Sequence, residues 1–144
     1  MKDVESAVSL FKGGFVCSQA ILSTYGPGLG LDEETALKLS AGFGGGMGRM
    51  GDICGAVTGA FMVIGLKYGN AKAEESEAKE KNYATVREFA GRFGSRNGSI
   101  VCRNLLDCDI STAEGLALAR EKNLFETICT KLVRDAAEIL EELI

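Results

Sequence analysis

At 144 residues, 46% apolar and 25% charged, with a net charge of -4, the chain has the size and make-up of one ordinary globular domain spanning 1–144. That charge offers no basic field to a phosphate backbone, which argues against nucleic-acid binding. The absence of histidine excludes imidazole bases, Ser-His-Asp and Cys-His catalysis, and haem held by histidine.

Helical spacing runs through the whole chain. Met1-Lys2-Asp3-Val4-Glu5 opens acidic and amphipathic, unlike a signal peptide. Val4, Ala7, Val8 and Phe11 form a first stripe, ended by Gly13-Gly14. A short second helix through Cys17, Ala20 and Ile21 is stopped by Gly26-Pro27-Gly28. Asp32 is suited to cap a helix over 33–41, with acids in its first turn. A glycine-rich loop over 42–51 follows, and Asp52 is then expected to cap an apolar helix to about Tyr68. The uncharged stretch from Ile53 to Leu66 is 14 residues, short of the roughly 20 needed to span a bilayer, so it reads as a buried core helix. No membrane span and a cytoplasmic location with reduced thiols are the expectations.

The second half is more polar: twenty-five of the thirty-six charges lie in 71–144, whereas fifteen of the nineteen glycines lie in 1–70. A long helix from Ala71 to about Phe93 carries Tyr83, Val86, Phe89, Ala90 and Phe93 on one side, and Gly94-Ser95-Arg96-Asn97-Gly98 is expected to break it. Ser99 is placed to cap a short helix holding Cys102, Leu105 and Leu106. Ser111-Thr112-Ala113-Glu114 has the capping-box pattern. The last helix shows Ile128, Leu132, Val133, Ala136, Ile139, Leu140 and Leu143 in one stripe. No segment alternates with period two. These signals predict an all-α, single-domain helical bundle with a glycine-rich loop before a central apolar helix. Gly51, Gly55 and Gly59 leave one side of that helix nearly bare, for a tight helix crossing or for a site; the apolar helices also leave homo-oligomerisation open.

Without imidazole, the thiols of Cys17, Cys54, Cys102, Cys108 and Cys129 are the most obvious reactive groups. Cys54, in the expected first turn after Asp52, should gain thiolate character from the helix dipole, opposed by its apolar neighbours, and Gly55 would leave its sulfur open to approach. Cys17, Cys102 and Cys129 also fall near helix starts with apolar residues on their side, so each alone reads as core while the four together suggest convergence. No C-x-x-C is present, which disfavours thioredoxin-type and zinc-ribbon sites. Gly46-Met47-Gly48-Arg49-Met50-Gly51 is formally G-x-G-x-x-G, but a helix rather than a strand precedes it. The bland reading is a tight turn placing Cys54; the functional one is an anion or cofactor nest built by Gly46, Gly48, Arg49 and Gly51.

The stretches Gly14-Phe15-Val16-Cys17-Ser18-Gln19-Ala20, Gly44 to Gly51 running into Cys54-Gly55-Ala56-Val57-Thr58-Gly59-Ala60, Cys102-Arg103-Asn104-Leu105-Leu106, and Cys129 to Ala137 resemble the small redox-active family labelled C_GCAxxG_C_C. The match spans nearly the whole chain, although the motif here reads C-G-A-x-x-G. The resemblance implies a redox site made by Cys17, Cys54, Cys102 and Cys129, with Cys108 a resolving thiol or a bystander. Three functions remain open. In a thiol-based redox protein, Cys54 would be the nucleophile, Cys17 its partner, and a redox protein or small molecule the substrate. In a metal or iron–sulfur protein, Cys17, Cys54, Cys102 and Cys129 would be the ligands. In a helical binding or assembly module, the cysteines would merely pack.

Overall fold

A computed structural model describes residues 2–144, and among these there is no strand, only helices and their connections. Helix α1 (Lys2–Lys12) buries Val4, Ala7 and Val8 and stops where Gly14 takes φ +116°. Helix α2 (Cys17–Tyr25) ends before a 3-10 turn over Pro27–Leu29. Helix α3 (Glu33–Ser40) is capped by Asp32, whose carboxylate accepts the Thr35 N–H at 3.0 Å. A second 3-10 turn, Ala41–Phe43, leads into the short turn α4 (Gly44–Met47). Beyond it lie α5 (Gly55–Tyr68), α6 (Ser76–Asn97), α7 (Cys102–Leu106), α8 (Ala113–Glu121), α9 (Leu124–Thr127) and α10 (Cys129–Leu143). The chain is all-α and forms one domain, as the spacing predicts.

Helix α5 is the centre of the molecule, packed on α2, α6 and α10. Its Val57, Ala60, Val63 and Ile64 are fully buried, and burying each Val or Ile side chain contributes about 1.5–3 kcal/mol relative to exposure. From α6, Phe89 stacks on Phe93 and meets Phe61 of α5 edge-on, both pairs with centroids 6.0 Å apart. The stripe of α10 closes this core from the other side. Among the described residues no helix is long and apolar enough to cross a membrane.

Several boundaries depart from the expected ones for local reasons. Asp52 does not cap α5. Its N–H donates to Gly46 O (2.9 Å) and its carbonyl accepts the Cys102 N–H (2.6 Å), within a short antiparallel pairing around Ile53 and Val101. The helix therefore begins at Gly55, with Cys54 as its capping residue. Helix α6 starts only at Ser76, after a turn in which the Asn70 side chain donates to Lys72 O. It then runs through Gly94 and ends at Gly98, the residue with φ +86°. Tyr83 lies on its exposed face under the Lys79 ammonium. Ser99 is not the cap of α7; Val101 is, and the Ser99 hydroxyl accepts the Val101 N–H. Thr112 rather than Ser111 caps α8, because Ser111 is bonded to Asp109.

Candidate functional site

Each of the four expected cysteines stands at the start of a helix. Cys17, Cys102 and Cys129 are the first residues of α2, α7 and α10, and Cys54 precedes α5. Cys17-Ser18-Gln19 anchors the first of them. The Gln19 side chain accepts the Val16 N–H (3.1 Å) and donates to Leu37 O (3.0 Å), while the buried Ser18 hydroxyl donates to Ser40 O (2.8 Å). These bonds fix α2 against α3 at the turn that carries Cys17.

The bare strip of α5 makes the crossing with α2. A methyl group on Gly59 would meet Ser18 O at 3.0 Å and Ile21 Cβ at 3.1 Å; one on Gly55 would meet Phe43 O at 3.0 Å and Cys17 Cβ at 3.2 Å. Gly55 therefore lets the Cys17 and Cys54 segments approach each other. Gly51 lies outside the helix in a left-handed conformation, φ +75°.

The glycine loop is an unusual turn. Gly45, Gly46, Met47, Gly48 and Arg49 all have φ between 60° and 67°, a left-handed run that glycine tolerates and Met47 and Arg49 adopt at a cost. The Gly48, Arg49 and Gly51 N–H groups donate to the carbonyls of Gly42, Gly44 and Gly45. Gly46 faces Cys102: a methyl group there would meet Cys102 Cβ at 2.8 Å and Asp52 N at 2.6 Å. The same loop is stitched to α7 by Cys102 N–H to Asp52 O and Arg103 N–H to Gly51 O. Cys54 N–H donates to Ile100 O on the other side of that pairing (2.8 Å).

The outcome is a cavity of about 530 Å³ onto which Cys17, Cys54, Cys102 and Cys129 all open. The remainder of its wall is largely apolar, with Phe11, Phe15, Ile110, Phe125 and Leu132 among the lining residues. Gly46, Gly48 and Arg49 also line it, whereas Gly51 does not. Cys108 is buried elsewhere, its thiol donating to Gly115 O at 3.1 Å. Residue patterns gave no warning of Arg120, which lines the same cavity from the end of α8.

The thiols differ in acidity. The Cys17 thiol donates a hydrogen bond to the Cys129 sulfur, which pushes Cys17 well above the ordinary thiol value and draws Cys129 below it. Cys54 is pushed up to about 12, chiefly by burial, against backbone N–H bonds from Ala56 and Val57 that pull it down. Cys102 is raised to about 11, again mainly by burial and also by the nearby Cys129, with Arg103 pulling it down. The helix start at Cys54 thus does not give the acidic thiol expected from its position; of the four cavity thiols, Cys129 is the one drawn below the ordinary value. Among the described residues no group of three or more cysteine or carboxylate side chains is arranged to hold a metal ion. All five cysteines are free thiols.

Among known proteins, no curated protein and no solved structure matches the chain. A family model described as "Putative redox-active protein (C_GCAxxG_C_C)" matches residues 15–143. With nearly its whole length matched, and all four expected cysteines inside that range lining one cavity, the chain belongs to the C_GCAxxG_C_C family.

Proposed function

We propose that the protein is a thiol–disulfide redox protein in which Cys129 is the nucleophile and Cys17 its resolving partner. The observation that carries this reading is the single cavity lined by Cys17, Cys54, Cys102 and Cys129, within which the side-chain interaction with Cys17 draws Cys129 below the ordinary thiol value. The Cys129 thiolate attacks one sulfur of a substrate disulfide and expels the other as a thiolate, leaving a mixed disulfide. Cys17 loses its proton to the departing thiolate and attacks the Cys129 sulfur. The second substrate thiolate leaves and takes up a proton. Two electrons pass from the cysteine pair to the substrate, which departs as two thiols, and a Cys17–Cys129 disulfide remains.

Cys54 and Cys102, made weaker acids by burial, stay protonated through this exchange and serve as further reducing equivalents or as the apolar floor. A reducing, cytoplasmic compartment suits a chain with five unpaired thiols.

Thiol trapping across a redox titration of the full chain, read by mass spectrometry, tests the proposal. A reversible Cys17–Cys129 disulfide is expected, lost in Cys129→Ser and Cys17→Ser and retained in Cys54→Ser. No reversible disulfide at any physiological potential, or one that survives Cys129→Ser, overturns it.

A further inference from the structure

Two cationic side chains line the thiol cavity, Arg49 and Arg120, and no carboxylate or lysine does. Neither guanidinium has a hydrogen-bond or ion-pair partner among the described residues, a state shared by Arg87 outside the cavity, whereas Arg92, Arg96 and Arg134 are all paired with carboxylates. In a chain with net charge -4, a cavity lined by two arginines and no carboxylate side chain is a local selection of sign. Both residues are exposed, so they form the rim, while the walls below them are aromatic and aliphatic.

Arg49 is held there at some expense. It has φ +65° in a stretch where Gly45, Gly46, Gly48 and Gly51 are glycine, the residue that takes this conformation freely, and where Met47 (φ +67°) is the other side chain so held. A methyl group on Gly45 would strike Arg49 Cγ at 2.8 Å, so the bare Gly45 backbone leaves room for the arginine stem. A side chain kept in a left-handed backbone, over a glycine that makes way for it, points to a task for that side chain.

We infer that the cavity binds a small organic anion: a molecule with an aromatic or branched apolar body that packs against Phe11, Phe15 and Phe125, and a carboxylate or sulfonate that pairs with Arg49 and Arg120. The volume of about 530 Å³ lies within the range of small-molecule sites, which runs from about 300 to 1,000 Å³. The inference deepens the thiol–disulfide reading by naming its substrate class, an anionic apolar disulfide or its thiol, but binding of the anion itself needs no thiol chemistry.

The test uses the reduced full chain and two fluorophores that differ by one acid group, anilinonaphthalenesulfonate and neutral phenylnaphthylamine. Saturable binding of the sulfonate is expected, weakened about threefold to fivefold by Arg49→Gln or by Arg120→Gln, as for exposed ion pairs, and further by the double variant. Added salt should weaken it too. Phenylnaphthylamine should bind all variants equally, which also shows that the cavity is intact. Saturating sulfonate should slow alkylation of Cys129 by iodoacetamide, which places the anion in this cavity. Equal responses of the two fluorophores to the arginine changes, or no protection of Cys129, overturn the inference. Disulfide formation with neutral dithiodipyridine is a separate readout: its failure removes the redox reading and leaves the anion site standing. If both hold, the rate ratio of dithiobis(nitrobenzoate) to dithiodipyridine should fall about threefold to fivefold in either single variant.

Discussion

The hydrogen bond from Cys17 to Cys129 makes two chemically identical side chains opposite in character: one keeps its proton far into alkali, the other gives it up early. The acidity of Cys129 then depends on a donor rather than on its helix end, because α9 leads into α10 across a single residue, Ile128, and leaves little open helix terminus there. A pH profile of iodoacetamide alkylation should therefore place the Cys129 inflection below the unperturbed thiol value of 9.0. Cys17→Ala removes the donor, so the inflection should move up and alkylation at neutral pH should slow several-fold; Cys17→Ser keeps an O–H donor and should hold most of the acidity. An inflection that ignores both substitutions would show that the pair is not coupled. The importance of the four cysteines is legible from their places at helix starts and from the family resemblance. Which of them is acidic is not, since Cys17 and Cys129 lie at opposite ends of the chain and only tertiary packing brings a donor to the second sulfur.

Among the helices, the informative contact is α2 against α5, where two glycines replace side chains at the crossing. Gly59→Val should wedge the pair apart and cost about 1–3 kcal/mol, read as a lower urea midpoint. Gly65→Ala, on the same helix with no atom within 4 Å of the added methyl group, should add about 0.5–1 kcal/mol of stability, read as a higher midpoint. Equal effects of the two would mean that the crossing is not tight. The glycine repeat is visible in the sequence, and the crossing is one of the two roles it suggests. The start of α5 was harder to read. Asp52 is a good capping residue by type, but both its backbone groups are taken by Gly46 and Cys102, and a pairing only a few residues long leaves no alternation to detect. The same holds for the left-handed turn: the glycines mark it, yet Met47 and Arg49 carry no local signal that they share its conformation.

Over the whole molecule, burial of the thiols sets an alkaline limit. Cys54 and Cys102 release their protons at about 12 and 11 in the folded chain, against 9.0 unperturbed, and Cys17 is raised further by its bond to Cys129. Groups raised in this way contribute stability that is complete below the unfolded value and is lost as pH rises towards the folded one. Cys129 acts in the opposite sense, its contribution present above the unfolded value and lost as pH falls through the folded one. The unfolding free energy from denaturant titrations should thus decline from about pH 9 to pH 11 by about a few kcal/mol in total. Cys54→Ala should flatten that decline while lowering the plateau at neutral pH through the small void it leaves. A midpoint constant up to pH 11 would contradict the burial of these thiols.

The site also has a place in time. Its walls are contributed by segments far apart in the polypeptide, and Cys129 belongs to a helix that leaves the ribosome after those carrying Cys17, Cys54 and Cys102. Until that helix docks, the nascent chain holds thiols with no neighbour to sharpen one of them. Its reactivity is therefore switched on by the completion of folding.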